Sequence, residues 1–199
     1  QIGSTLTEGS FNNESYGKTA KISDDGTTIA IGAPAANTSG LVYIYRWNGT
    51  DWDQLGDTIW HVDANTSYDK FGEDIALSGN GNVVAIGANE YDNLLSYNYD
   101  YGLAIIYTWS GTSWIKKGQS LVGEGANDNS GLDLDLSFDG NILAIASHNN
   151  DGEGSNAGHA RIYEYSNTQW TQLGNDIDGV DAEDKLGTDI GISENGHTV

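Results

Sequence analysis

The chain has no cysteine, no methionine and a single proline in 199 residues, and only eight of them are lysine or arginine. Without cysteine, disulfides, thiolate nucleophiles and thiolate metal sites are all excluded. Their loss does not fix the compartment, because a large repeat core can be secreted without staples. No stretch sustains a helical period, and apolar runs stay short, so direct membrane insertion through a spanning helix is not expected. The 29 acidic side chains outnumber the basic ones and give a formal net charge of −21. Nucleic acid and anionic lipid both require clustered Lys and Arg, so neither is expected as a partner.

What is present is one pattern, repeated. Tyr16-Gly17, Phe71-Gly72, Ser130-Gly131 and Leu186-Gly187 each open a unit, with 55, 59 and 56 residues between successive glycines. Each pair leads into a short apolar strand and a tight turn at Asp25-Gly26, Asn80-Gly81, Asp139-Gly140 or Asn195-Gly196. Near copies of one apolar strand follow at 28–33, 83–88 and 142–147, then an aromatic strand at 42–47, 105–109 and 161–165. A Trp and a polar turn close each full unit. Asx-Gly turns between short apolar runs are hairpin signals, and a fixed period marks units that cannot bury their faces alone. Four antiparallel strands per unit predict an all-β fold, a β-propeller of four-stranded blades of about 56 residues.

The blades are expected at 16–70, 71–129 and 130–185, with a preceding outer strand in 1–15 and the start of a further blade in 186–199. About three and a half blades are then present, as part of a larger propeller, since such rings close with about four to eight. Recurring aromatics at Tyr43, Tyr45, Trp47, Trp52, Trp109, Trp114, Tyr163 and Trp170 are expected to pack between blades.

Phe71-Gly72 and Gly32-Ala33-Pro34 spell the two halves of the FG-GAP repeat, and Tyr16-Gly17 with Gly87-Ala88 repeats them. The chain therefore resembles the FG-GAP propellers of integrin α-subunits and related secreted or cell-surface proteins. That resemblance implies an extracellular setting and adhesion or ligand display more often than catalysis. Calcium-binding members carry an Asp-rich loop between the two motif strands. Here the connection is a bare hairpin, Ser23–Gly26 and its equivalents, too short to wrap six to eight oxygens around Ca²⁺. No cofactor is required by this reading.

Candidate sites follow from the loops. The loop 89–102 holds Tyr91, Tyr97, Tyr99 and Tyr101 beside Asp92 and Asp100, and shares a propeller face with Trp60, His61 and Tyr68. Rigid tyrosines near carboxylates suit a protein partner or a stacked sugar; the alternative is packing on their own blade. In the loop 148–158, Asn150, Asp151, Glu153 and Asn156 could offer oxygens to Ca²⁺, the alternative being a polar loop without metal. Carboxylates recur at Asp69, Asp128 and Asp184 and at Asp74, Asp133 and Asp189; the second set is expected to ring the channel mouth for a weak cation, the alternative being that these carboxylates fix the entry turn of each blade. Asn13, Asn37, Asn48 and Asn65 stand in glycosylation sequons.

The four histidines show no metal spacing, and no nucleophile elbow or phosphate loop is present. The reading expected from sequence is a non-enzymatic extracellular module that binds proteins or assembles with copies of itself or neighbouring subunits. A carbohydrate-binding propeller using the loop 89–102 is the alternative. A hydrolase or lyase, which would need a polar pocket near the axis, stands behind both.

Overall fold

Each unit folds as an antiparallel meander, because its β-branched and aromatic runs are separated by turns that admit positive φ. The computed structural model describes residues 2–7, 15–61, 68–92 and 99–199. The first sheet runs β1 (Thr19–Ile22), β2 (Thr28–Ala33), β3 (Leu41–Trp47) and β4 (Trp52–Gln54), with β5 (Ile59–Trp60) also on β3. The second runs β6 (Ile75–Leu77), β7 (Val83–Ala88), β8 (Leu103–Trp109) and β9 (Trp114–Lys116), with β10 (Leu121–Val122) on β8. The third runs β11 (Asp133–Leu136), β12 (Ile142–Ser147), β13 (His159–Ser166) and β14 (Gln169–Gln172), with β15 (Ile177–Asp178) on β13. Three consecutive antiparallel sheets of four main strands make a partial β-propeller. The sole helical turn among the described residues is a 3-10 turn at Ala36–Thr38.

One turn recurs in every unit. Ser23, Ser78, Ser137 and Ser193 each accept, through Oγ, the N–H of the residue five positions on, at 2.9–3.0 Å. Asp25, Asn80, Asp139 and Asn195 accept the same hydroxyls' protons. The hairpin is thereby closed by side chains as well as by backbone.

The outermost strand differs from the sequence reading, which placed one fourth strand in each blade. It is broken: β4 pairs with the end of β3 (Tyr45 opposite Gln54), and β5 with its start (Leu41 opposite Trp60). The break lies at Gly56, and its counterparts are Gly118 and Gly174, all at positive φ.

Cores form between blades, not within them. Val84, Ile86 and Ala88 of β7 pack with Val42, Ile44 and Ile59 of the first blade. Their neighbours Val83 and Ala85 turn the other way, onto Leu143, Ile145 and Tyr163 of the third. A strand buried on both faces must read as a continuous apolar run, as β7 does.

Two backbone contacts set the blade spacing. A Cβ at Gly32 would lie 2.2 Å from the Gly72 carbonyl oxygen, and one at Gly87 2.0 Å from that of Gly131. The Gly-Ala of one blade and the repeat-opening glycine of the next are therefore two sides of one contact. At the outer rim, Trp114 Nε1–H donates to the Leu55 carbonyl at 2.8 Å and Trp170 Nε1–H to the Lys117 carbonyl at 2.7 Å. Each indole pairs across its hairpin with a second ring, Trp109 at 5.5 Å and Tyr165 at 5.2 Å between centroids. The glycine of the preceding blade lies against this pair: a Cβ on Gly118 would stand 2.7 Å from Trp170 Cδ1.

Gly174 holds the same backbone angle with no heavy atom within 4 Å of a built Cβ. Alanine at either site incurs about 1–2 kcal/mol for a positive φ. Only at Gly118 is overpacking of about 1–3 kcal/mol added. Chemical denaturation should therefore show Gly118→Ala clearly less stable than Gly174→Ala.

Candidate functional site

The loop face between the first two blades carries a concavity of about 190 Å³ lined by Ser15, Lys18, Pro34, Ala35, Thr38, Tyr68, Lys70, Glu73 and Glu90. Lys18 pairs with Glu73, and Lys70 with Glu90. Lys18 and Glu73 occupy equivalent positions, each directly after a repeat glycine, so the charge pair spans one full period. The hydrogen bond to Glu90 raises the Lys70 pKa, and the ammonium stays charged. Tyr68 is 71% exposed and sits at φ +84, a conformation in which a bulky residue is strained. The Tyr68 N–H donates to the Thr38 carbonyl at 2.7 Å. An exposed aromatic on strained backbone, with two charge pairs beside an apolar floor, suits a contact surface.

The residues expected from sequence divide between surface and interior. Tyr91 and His61 are buried, with the rings edge-on at 5.5 Å. His61 stacks on Phe71, and its Nδ1 faces Asp69 Oδ2 at 3.4 Å. Tyr99 is exposed, while Tyr101 is half-buried. Asp92 Oδ1 accepts the N–H groups of Tyr99 and Asp100, at 2.8 and 3.2 Å. Burial first, then the charges of Glu90 and Asp92, raises the Asp100 pKa. Tyr97 lies outside the described residues.

Trp60 is elsewhere, on the outer rim. With Tyr107, Trp114, Asp57, Thr58, Ser113 and Lys116 it lines a second concavity of about 190 Å³. Trp60 stands opposite Leu41, and the residues in the same register of the next two blades are Val122 and Asp178. The repeat therefore does not require a tryptophan there, and its ring is 55% exposed.

Of the four residues expected around Ca²⁺, three make hydrogen bonds within the loop or to neighbouring segments. Asn150 donates to Asp128 and accepts from the Gly152 N–H, and Asp151 accepts from the Asn156 N–H. Asn156 Nδ2 donates to Glu183, and Glu153 is exposed. Of the sequons, Asn37 lies in the 3-10 turn at φ +47. Asn48 caps the β3–β4 hairpin and donates Nδ2 to Asp53. Asn13 and Asn65 lie outside the described residues.

Four of the recurrent carboxylates accept backbone protons. Asp128 takes the Gly125 N–H, and Asp184 those of Val180 and Asp181. Nearer the axis, Asp74 takes the Leu134 N–H of the next blade, and Asp133 that of Ile190. Asp74 and Asp133 also touch each other. Burial, then the Asp74 charge, pushes the Asp133 carboxyl up to about 7. In the folded chain Asp133 thus takes its proton near neutrality, against 3.8 ordinarily. Its contribution to stability is complete below that lower value and is lost as pH rises through about 7. Melting temperatures between pH 4 and 8 should fall across this window, and Asp133→Asn should flatten the fall.

No family model and no curated protein matches the chain. Solved structures do. A protein described as a putative 6-phosphogluconolactonase from Bacteroides fragilis aligns with a TM-score of 0.53 and 16% identity, over 82% of this chain and 40% of its own. A structure from work on two prolyl endopeptidases aligns with a TM-score of 0.48 and 15% identity, over 88% of this chain and 23% of its own. The chain spans less than half the length of either.

The first likeness bears on the fold alone, yet it overturns one expectation. Missing catalytic motifs pointed to a non-enzymatic chain, whereas a protein of this fold is described as an enzyme. A site assembled from several blades leaves no contiguous motif, so the missing motifs do not set catalysis aside. The sequence reading named Tyr68 but missed Lys18, Lys70, Glu73 and Glu90. Opposite charges at equivalent repeat positions were the available signal for the first pair. Three successive sheets of four main strands and the likeness of fold together make the chain a partial β-propeller.

Proposed function

We propose that the chain is part of an extracellular FG-GAP-like propeller whose loop face, between the first two blades, binds a protein partner at a cell surface or in an assembly. The observation that carries this reading is Tyr68, held exposed on strained backbone above an apolar floor and flanked by Lys18–Glu73 and Lys70–Glu90. Rigid aromatics ringed by polar groups are the usual energetic centres of protein contacts. The motif residues Phe71-Gly72 and Gly32-Ala33, joined across blades, support the FG-GAP assignment.

Glycine relieves the positive φ at Tyr68, so Tyr68→Gly should fold with an unchanged or slightly higher melting temperature. Binding of the labelled chain to its source cells should nevertheless fall at least about tenfold, the scale of one interface anchor. Undiminished binding would remove the loop face from the account.

The rim groove favours a second reading, a sugar stacked on Trp60 with Asp57, Thr58 and Ser113 at its edges. On a glycan array, Trp60→Ala should then lose signals that Tyr68→Gly keeps.

A further inference from the structure

The third blade breaks the apolar rule of the second at one place. Ala88 and Leu103 pair across β7 and β8, and with Ile105 they fill the core against the first blade. In the third blade the same register holds Ser147, His159 and Arg161, all buried, with His159 only 1% exposed. Ser147 Oγ, His159 Nε2 and Arg161 Nε have no hydrogen-bond partner. A buried polar atom without a partner is destabilising, so packing alone does not account for three of them where a neighbouring blade uses hydrocarbon.

The other nitrogen of the imidazole meets two carboxylates, which a hydrocarbon side chain at this register could not engage. His159 Nδ1 faces Asp176 Oδ2 at 3.4 Å and Glu124 Oε2 at 4.0 Å. Together the three ligand atoms lie within 4.8 Å of one another, the one such His–carboxylate group among the described residues. Both separations exceed a normal hydrogen bond. Donors held about 2.0–2.2 Å from one tetrahedral ion stand roughly 3.3–3.6 Å apart. The His159–Asp176 separation is in that range, whereas Glu124 Oε2, half exposed at the blade connection, stands 4.0 Å from the imidazole and within 4.8 Å of Asp176 and moves inward to complete the set.

We infer that His159 Nδ1, Asp176 Oδ2 and Glu124 Oε2 bind a divalent transition-metal ion, Zn²⁺ by preference, between the second and third blades. A single imidazole with two carboxylates suits Zn²⁺ better than Ca²⁺, which takes six to eight oxygens. Three protein ligands leave a fourth position for water or a bound group, the pattern of open zinc sites. Arg161 Nη1 lies 3.2 Å from Glu124 Oε1, on the carboxylate oxygen that does not face the imidazole. It therefore orients the ligand from behind, as outer-shell partners do.

The test is calorimetric titration of the chain with ZnCl₂, paired with metal-free melting curves. Glu124 is half exposed and Asp176→Asn keeps an oxygen able to accept from Gln172, so Glu124→Gln and Asp176→Asn should both fold as the parent does. The parent should bind one Zn²⁺ per chain, and each variant at least about tenfold more weakly, a ligand counting for no less than an outer-shell partner. His197→Ala, remote from the cluster, should bind as the parent does. Absence of stoichiometric binding by the parent up to millimolar zinc overturns the assignment. So does a variant at either carboxylate that keeps the parent's affinity.

Discussion

The approach of one blade's backbone to the next constrains everything else in this molecule. Gly72 O and Gly131 O crowd the places where a Cβ on Gly32 or Gly87 would stand, so adjacent blades meet through bare backbone at the repeat-opening glycines. At the rim they meet again through Trp114 and Trp170, whose indoles reach carbonyls of the preceding blade. With spacing fixed at two radii, the apolar faces between have one depth to fill, and β7 can be buried on both sides. Lys117 belongs to the same device. Its carbonyl accepts from Trp170, and its Nζ reaches Asn141 and lies 4.6 Å from the Tyr165 ring centroid.

Much of the fold could be read from recurrence, because a repeat exposes its own grammar. Strands, hairpin turns and inter-blade aromatics each occur at least three times, and each occurrence checks the others. The broken outer strand was less legible. Leu55-Gly56 looks like a strand end, and nothing local shows that Ile59–Trp60 rejoins the same β3 edge. The loop residues were read only in part. Tyr91 and His61 share the sequence context of surface residues, yet Phe71 and the neighbouring blade draw them into the core. Contacts of that kind join residues far apart in the chain, beyond any local pattern.

Departures from the repeat proved more informative about sites than the repeat itself. Trp60 stands where the other blades have Val122 and Asp178. Ser147, His159 and Arg161 stand where the second blade has Ala88, Leu103 and Ile105. Neither departure improves packing, and the second introduces buried polar atoms without partners. A recurring carboxylate such as Asp128 or Asp184 carries the opposite meaning, since it closes the same turn in successive blades.

The central claim is that blades are joined by indole-to-carbonyl bonds between rims, and amide and indole hydrogen exchange followed by NMR tests it most directly. Trp114 and Trp170 indole protons should exchange at least about a hundredfold more slowly than that of the exposed Trp60, because they open only with the blade contact. Exchange of all three at one rate would show that the rim bonds do not hold the blades together.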